Sequence, residues 1–135
     1  MAGKSLPAVN SIDREFWEGA AKGELRLQKC RACGKMQFFP RIACTGCLGG
    51  DLEWVPVSGR GKVHTFSLCR VPRNRAFMDE VPIYVAEVEL EEGVRMITRI
   101  VGDNRDQVTL GAPVTVSFLE TEDPDIKLPV FELVS

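Results

Sequence analysis

Two cysteine pairs with a fixed internal spacing constrain this chain more than anything else in it. Cys30-x-x-Cys33 is followed by ten residues and then by Cys44-x-x-Cys47, so four of the five cysteines fall within eighteen positions. Each pair can fold into a tight knuckle with both sulfurs turned to one centre. Two knuckles supply the tetrahedral four-sulfur shell of a structural Zn2+ site. Gly34 after Cys33 and Gly46 inside the second pair are expected to relax the backbone where it bends. Four protein ligands leave no position open for water, so one zinc ion held here is architectural and cannot act as a Lewis acid. Iron in the same shell is the rival, because ligand type alone does not separate the two metals.

The flanking sequence reads as a mostly β protein in three parts. Residues 1–24 are an N-terminal helical segment, 25–57 the zinc ribbon and 58–135 a five-stranded barrel of the OB type, with an SH3-like barrel as the nearest alternative. The helix is expected over 11–22, with Ser11 as N-cap, Asp13 and Glu15 at its positive end and Gly23 as its stop. Phe16 with Ala20, and Trp17 with Ala21, make an i,i+4 apolar stripe on a helix too short to stand alone. From Gly61 onward the period changes to two. Phe66 and Leu68 alternate; Tyr84, Ala86, Val88 and Leu90 run into a Glu91-Glu92-Gly93 turn. Val94, Met96, Thr98 and Ile100 return, and Val114 to Phe118 and Val130 to Val134 complete five runs. Val55-Pro56-Val57-Ser58-Gly59 is expected to link ribbon and barrel without merging their cores.

A hydrophobic content of 44% allows a buried core. No apolar run approaches the roughly 18 residues of a membrane span, and Met1 to Asn10 lacks a secretory pattern. A cytoplasmic protein with no membrane partner is the expectation, and cysteines clustered in such a chain favour metal over disulfides. Residues 1–75 hold 13 Lys and Arg against 6 Asp and Glu, a surplus of +7, whereas 76–135 hold 4 against 13, a deficit of −9. Two net negative charges from a zinc tetrathiolate would bring the front half nearer +5. The uneven charge points to a localised anion site or a charged partner surface. A nucleic-acid-binding ribbon and barrel is the alternative function. The acidic barrel half and its few strand aromatics, Phe66, Tyr84 and Phe118, argue against it.

No phosphate loop, paired-histidine motif or nucleophile elbow is present in the sequence. Cys69 reads as a small buried hydrophobe and His64 as a structural or surface residue. No catalytic residue is expected in the chain.

The order of Phe16-Trp17-Glu18-Gly19, Gly23-Glu24-Leu25, Cys30-x-x-Cys33-Gly34, Phe39-Pro40-Arg41 and Cys44-x-x-Cys47 is distinctive. Trp54, Ser58-Gly59-x-Gly61, Tyr84-Val85-Ala86 and Leu110-Gly111-x-Pro113-Val114 follow in turn. The set resembles the acyl-CoA-associated OB-fold family with an N-terminal helix and a rubredoxin-like zinc ribbon. The resemblance implies a small non-catalytic partner subunit in a hetero-oligomer. Its partner would be a thiolase-fold acyltransferase, or a hydratase or retro-aldolase, and the small subunit would contribute to assembly and CoA-ester binding. One subset of the family belongs to a thiolase of anaerobic aromatic degradation. Arg41, Arg60, Lys62, Arg70, Arg73 and Arg75 are the cations available to the CoA phosphates. Phe16 and Trp17 are the aromatics available for docking on the partner.

Overall fold

The computed structural model describes residues 6–134; Met1–Ser5 of the predicted helical segment and Ser135 of the predicted barrel lie outside them. Within that range the chain forms one α-helix, α1 (Arg14–Ala21), and eight strands. β1 (Arg26–Cys30), β2 (Met36–Gln37) and β3 (Leu52–Pro56) make a three-stranded antiparallel sheet in the order β2-β1-β3. β4 (Arg60–Cys69), β5 (Ile83–Leu90), β6 (Arg95–Val101), β7 (Pro113–Glu120) and β8 (Lys127–Leu133) close a barrel in the order β4-β5-β6-β8-β7. No helix among the described residues is long and apolar enough to cross a membrane.

The helix begins later than expected, and its cap is not Ser11. Asn10 Oδ1 accepts from the N–H groups of Ile12 (2.8 Å) and Asp13 (3.1 Å), and Asp13 Oδ1 accepts from the Asn10 N–H (2.9 Å). This reciprocal pair closes the turn ahead of the helix, whose own N-cap, Asp13, makes no side-chain capping bond. The stop is where the sequence puts it. Gly23 takes φ +78°, its N–H reaches the Ala20 carbonyl, and the Glu24 N–H reaches that of Gly19, a Schellman pair. Arg26 at the head of β1 then binds Glu24 (2.6 Å) and Glu15 (3.1 Å), tying the strand back to the helix.

The barrel hairpin β5–β6 forms where expected, with Val88 opposite Met96 and Tyr84 opposite Ile100 around the turn at Gly93. β4 is longer than the Phe66–Leu68 alternation indicated. It starts at Arg60, pairs with β7 through Arg60–Lys62, and shifts register between Val63 and Thr65. That bulge breaks the two-residue period, which hid the first half of the strand. Gly61 is required by close approach, because a Cβ there would land on the Glu89 carbonyl of β5.

Ribbon, helix and barrel share one core, contrary to the expectation that the 55–59 link keeps them apart. Phe16, Leu25 and Leu27 are in the same cluster as Val63, Val88, Met96, Ile100, Val114 and Phe131 of the barrel. Val55 and Pro56 are not linker at all but the end of β3, opposite Leu27 and Arg26. Burying each large apolar side chain contributes about 1.5–3 kcal/mol, and a small ribbon with few such residues gains stability by lending them to the barrel.

Candidate metal centre

The two knuckles are built alike. In the first, the Gly34 N–H returns to the Cys30 carbonyl (2.8 Å) and the Cys30 N–H to that of Lys35 (2.8 Å). In the second, Leu48 returns to Cys44 (2.9 Å) and Cys44 reaches Gly49 (2.8 Å), the same pattern fourteen residues on. The residue after each second cysteine must take positive φ. Gly34 does so at 78°, but the second knuckle places Leu48 there at 65°, not Gly46 as expected. Gly46 sits close against its neighbours, where a Cβ would stand 3.0 Å from the flexible Lys35 side chain at Cδ and 3.6 Å from Cys44 Sγ.

Cys30, Cys33, Cys44 and Cys47 bring their sulfurs within 4.8 Å of one another. The Cys30–Cys47 and Cys33–Cys44 separations are 3.6 and 3.5 Å, against an edge of about 3.8 Å for a tetrahedron of about 2.3 Å Zn–S bonds. The donor set therefore fits a tetrahedral soft metal ion. Cys30 and Cys44 are buried, while Cys33 and Cys47 are exposed on the solvent side of the cluster. Backbone N–H groups of Cys47 and Gly46 aimed at Cys44 hold its thiol well below the ordinary range, at about 6. The Cys33 and Ala32 N–H groups lower Cys30 in the same way. Cys33 receives the Lys35 N–H, yet the hydrogen bond it shares with Cys44 pushes it up to about 11. Such N–H···S contacts stabilise thiolate, the form a metal binds.

A second feature of the centre has no cysteine in it. Gln28 and Gln37 are buried, 4% and 5% exposed, between the β1–β2 ladder and the loop joining the knuckles. Gln37 Nε2 donates to Gln28 Oε1 (2.7 Å) and to the Ala43 carbonyl (3.3 Å), while Gln37 Oε1 accepts the Thr45 N–H (2.9 Å). Gln28 Oε1 also accepts the Arg41 N–H (2.8 Å), and its Nε2 donates to the Arg41 carbonyl (2.8 Å). Two amides thus replace the strand that would otherwise pair with this loop. Hydrophobic patterning gives no hint of them, since a glutamine in a short strand reads as surface.

The predicted cations divide. Arg60 makes two 3.0 Å contacts to Glu91, which lowers the Glu91 carboxyl, and Lys62 lies 3.7 Å from Glu89. Arg41 is exposed, with its backbone held by Gln28. Arg70 and Arg73 in the loop after β4, and Arg75 at the start of the 3-10 turn Arg75–Glu80, are exposed and make no ion pair among the described residues. His64 is exposed at the β4 bulge and Cys69 ends that strand; neither joins the sulfur cluster.

The two aromatics divide as well. Phe16 is 5% exposed and belongs to the chain's own core, so it presents little surface to a partner. Trp17 packs edge-on against Phe16 (centroids 4.9 Å) and lines a cavity of about 230 Å3 with Phe38, Phe39, Pro40, Met96, Ile97, Leu128 and Pro129. Phe39 and Ile97 stand more than half exposed on its rim, at 56% and 57%. Sequence alone gives Phe39 only a place in the Phe39-Pro40-Arg41 motif and gives Ile97 none, because Ile97 sits at the outward position of an alternating strand.

Known proteins share these parts in this order. Residues 17–53 match the family described as ChsH2, rubredoxin-like zinc ribbon domain, and residues 54–119 the family described as ChsH2, C-terminal OB-fold domain. The chain is 39% identical over 126 residues to a probable enoyl-CoA hydratase alpha subunit of Thermomonospora curvata, covering 93% of this chain and 38% of that protein. It thus spans little more than a third of that relative's length. A benzoylsuccinyl-CoA thiolase subunit BbsA of Geobacter metallireducens is 31% identical over 94 residues, 64% of this chain and 62% of that one. Among solved structures, a chain of the Ltp2-ChsH2(DUF35) aldolase superposes with a TM-score of 0.81 at 36% identity, covering 95% of this chain and 98% of that one.

Proposed function

This chain belongs to the ChsH2/DUF35 family of zinc ribbon plus OB-fold proteins, and from that premise we propose that it is a non-catalytic, zinc-bearing subunit of an acyl-CoA-processing enzyme complex. The observation that carries the reading is the near end-to-end likeness to a chain of an aldolase complex. The hydratase and thiolase subunits among the relatives extend it to other acyl-CoA chemistries. A thiolase-fold enzyme is the partner we favour. The metal is one Zn2+, which four sulfurs enclose and which supplies architecture alone.

In this reading the partner holds the reacting groups and this chain completes the assembly. Its contribution to the CoA ester comes from Arg70, Arg73 and Arg75. Guanidinium groups match phosphate oxygens in charge and geometry, and among the described residues no carboxylate pairs with these three as with Arg60 and Lys62.

The test is to tag the chain, purify it from its own host with whatever it holds, identify the partner by mass spectrometry and assay the complex and each component on acyl-CoA esters. We expect an acyl-CoA enzyme as partner and turnover only when that partner is present. Turnover by this chain alone, or recovery with single-stranded nucleic acid and no acyl-CoA enzyme, would contradict the proposal.

A further inference from the structure

An unbroken set of contacts joins the four cysteines to the apolar cavity at the seam of helix, ribbon and barrel. Thr45, adjacent to the ligand Cys44, gives its N–H to Gln37 (2.9 Å). Gln37 donates to Gln28 (2.7 Å), and Gln28 grips both backbone groups of Arg41 (2.8 Å each). Residues 38–40 lie between Gln37 and Arg41, so one pair of amides fixes both their ends. Those residues, Phe38, Phe39 and Pro40, form one wall of the cavity, with Trp17, Met96 and Ile97 among the residues that complete it. The stretch 38–43 carries no helix or strand of its own.

We propose that the four-cysteine centre sets the shape of this cavity, and that Gln28 and Gln37 are the positioning residues that carry the metal's constraint to Phe38, Phe39 and Pro40. A segment without a ladder stays ordered only while its few anchors hold. One anchor is the second knuckle, which the metal fastens to the first. When the metal leaves, Thr45 and Ala43 are released from Gln37, the two buried amides lose partners they must replace with water, and the wall opens. The barrel strands keep their own ladders, so the change stays local. The coupling is a property of this chain and holds whether or not a partner covers the seam.

Trp17 reports on it directly. The chain has two tryptophans, so Trp54→Phe leaves Trp17 as the single emitter. In the full chain with that substitution, removing zinc with a chelator is expected to shift Trp17 emission to the red and raise its acrylamide quenching about twofold or more, with β5 and β6 amides still protected from exchange. Zinc-loaded Gln28→Ala and Gln37→Ala, each with metal content verified, are expected to move Trp17 in the same direction. Three results would overturn the proposal: Trp17 unchanged on zinc removal, zinc-loaded glutamine variants with wild-type Trp17, or loss of β5–β6 protection together with the Trp17 change. Should the glutamine variants fail to take up zinc, amide exchange of the wild-type chain decides. Arg41 and Thr45 must lose protection when zinc is removed, and if they keep it the proposal fails.

Discussion

Gln28 and Gln37 stand directly opposite each other on the β1–β2 ladder, and the Gln37 amide donates to Gln28 Oε1 at 2.7 Å where water barely reaches. Between them they satisfy backbone groups of Arg41, Ala43 and Thr45. Removing one side chain leaves buried partners unpaired, at a cost of about 1–3 kcal/mol for each orphaned group. Gln28→Ala is therefore expected to lower the melting temperature of the zinc-loaded chain clearly. An exposed control, Gln107→Ala, should leave it in place. Thermal unfolding of both variants at matched zinc content checks this.

Cys44→Ser should abolish stoichiometric metal binding, with wild type holding about one zinc per chain. Zinc affinity is expected to fall as pH falls, because protons compete for thiolates. The decline steepens below about 6, where Cys44 itself begins to hold a proton. Metal analysis across a pH series, with a chromogenic chelator to catch released zinc, measures both effects. A colourless protein is also expected; visible absorbance typical of iron–sulfur ligation would replace zinc with iron in this account.

The glycine of β4 offers a test of the barrel alone. Gly61→Ala forces a methyl group against the Glu89 carbonyl, and backbone cannot swing aside as a flexible side chain would. A loss of about 1–3 kcal/mol or more in denaturant unfolding is expected. Gly50→Ala, where a Cβ meets nothing within 4 Å, is the control and should be close to neutral.

The helix aromatics and the cavity rim should separate in experiment. Phe16→Ala is expected to destabilise the isolated chain by about 3–5 kcal/mol, the usual cost for a buried Phe. Phe39→Ala and Ile97→Ala, at half-exposed rim positions, should barely change melting but weaken assembly with the catalytic partner. Trp17→Ala is expected to do both, with about 2 kcal/mol of partner affinity lost. Isothermal titration and thermal unfolding on the same variants give the two numbers. Unchanged affinity in Trp17, Phe39 and Ile97 variants would remove this seam from the partner interface.

Much of the architecture was legible because its signals are local. Cysteine spacing defined the knuckles without reference to anything distant, and the alternation from Tyr84 to Ile100 around a local turn marked the hairpin. Misreadings arose where one segment depends on another. The β4 bulge interrupts a period that is otherwise readable, and β7 rather than β4 reveals where that strand begins. Gly46 looked like a hinge from its position, yet the positive φ of the second knuckle falls on Leu48. Arg60 and Lys62 looked like available cations because Glu91 and Glu89 are remote in sequence and adjacent in space. Gln28 and Gln37 gave no signal at all, since their burial follows from a loop folded back over the ladder.

The arginine loop carries the claim about CoA most directly within the chain. In the assembled complex, Arg70→Ala, Arg73→Ala and Arg75→Ala together should raise KM for the acyl-CoA ester, with kcat and assembly little changed. Arg60→Ala, whose guanidinium already meets Glu91, should leave KM alone. Equal effects from both sets would mean that general positive charge, and not this loop, draws the substrate.

In the proposed function this chain supplies structure and not chemistry to an acyl-CoA enzyme. That division of roles is tested most directly by assaying the purified chain, its co-purified partner and the recombined pair on the same acyl-CoA ester. No turnover is expected from this chain alone, little from the partner alone and full activity on recombination with zinc-loaded chain. Undiminished activity of the partner in its absence, or turnover by this chain unaided, would contradict it.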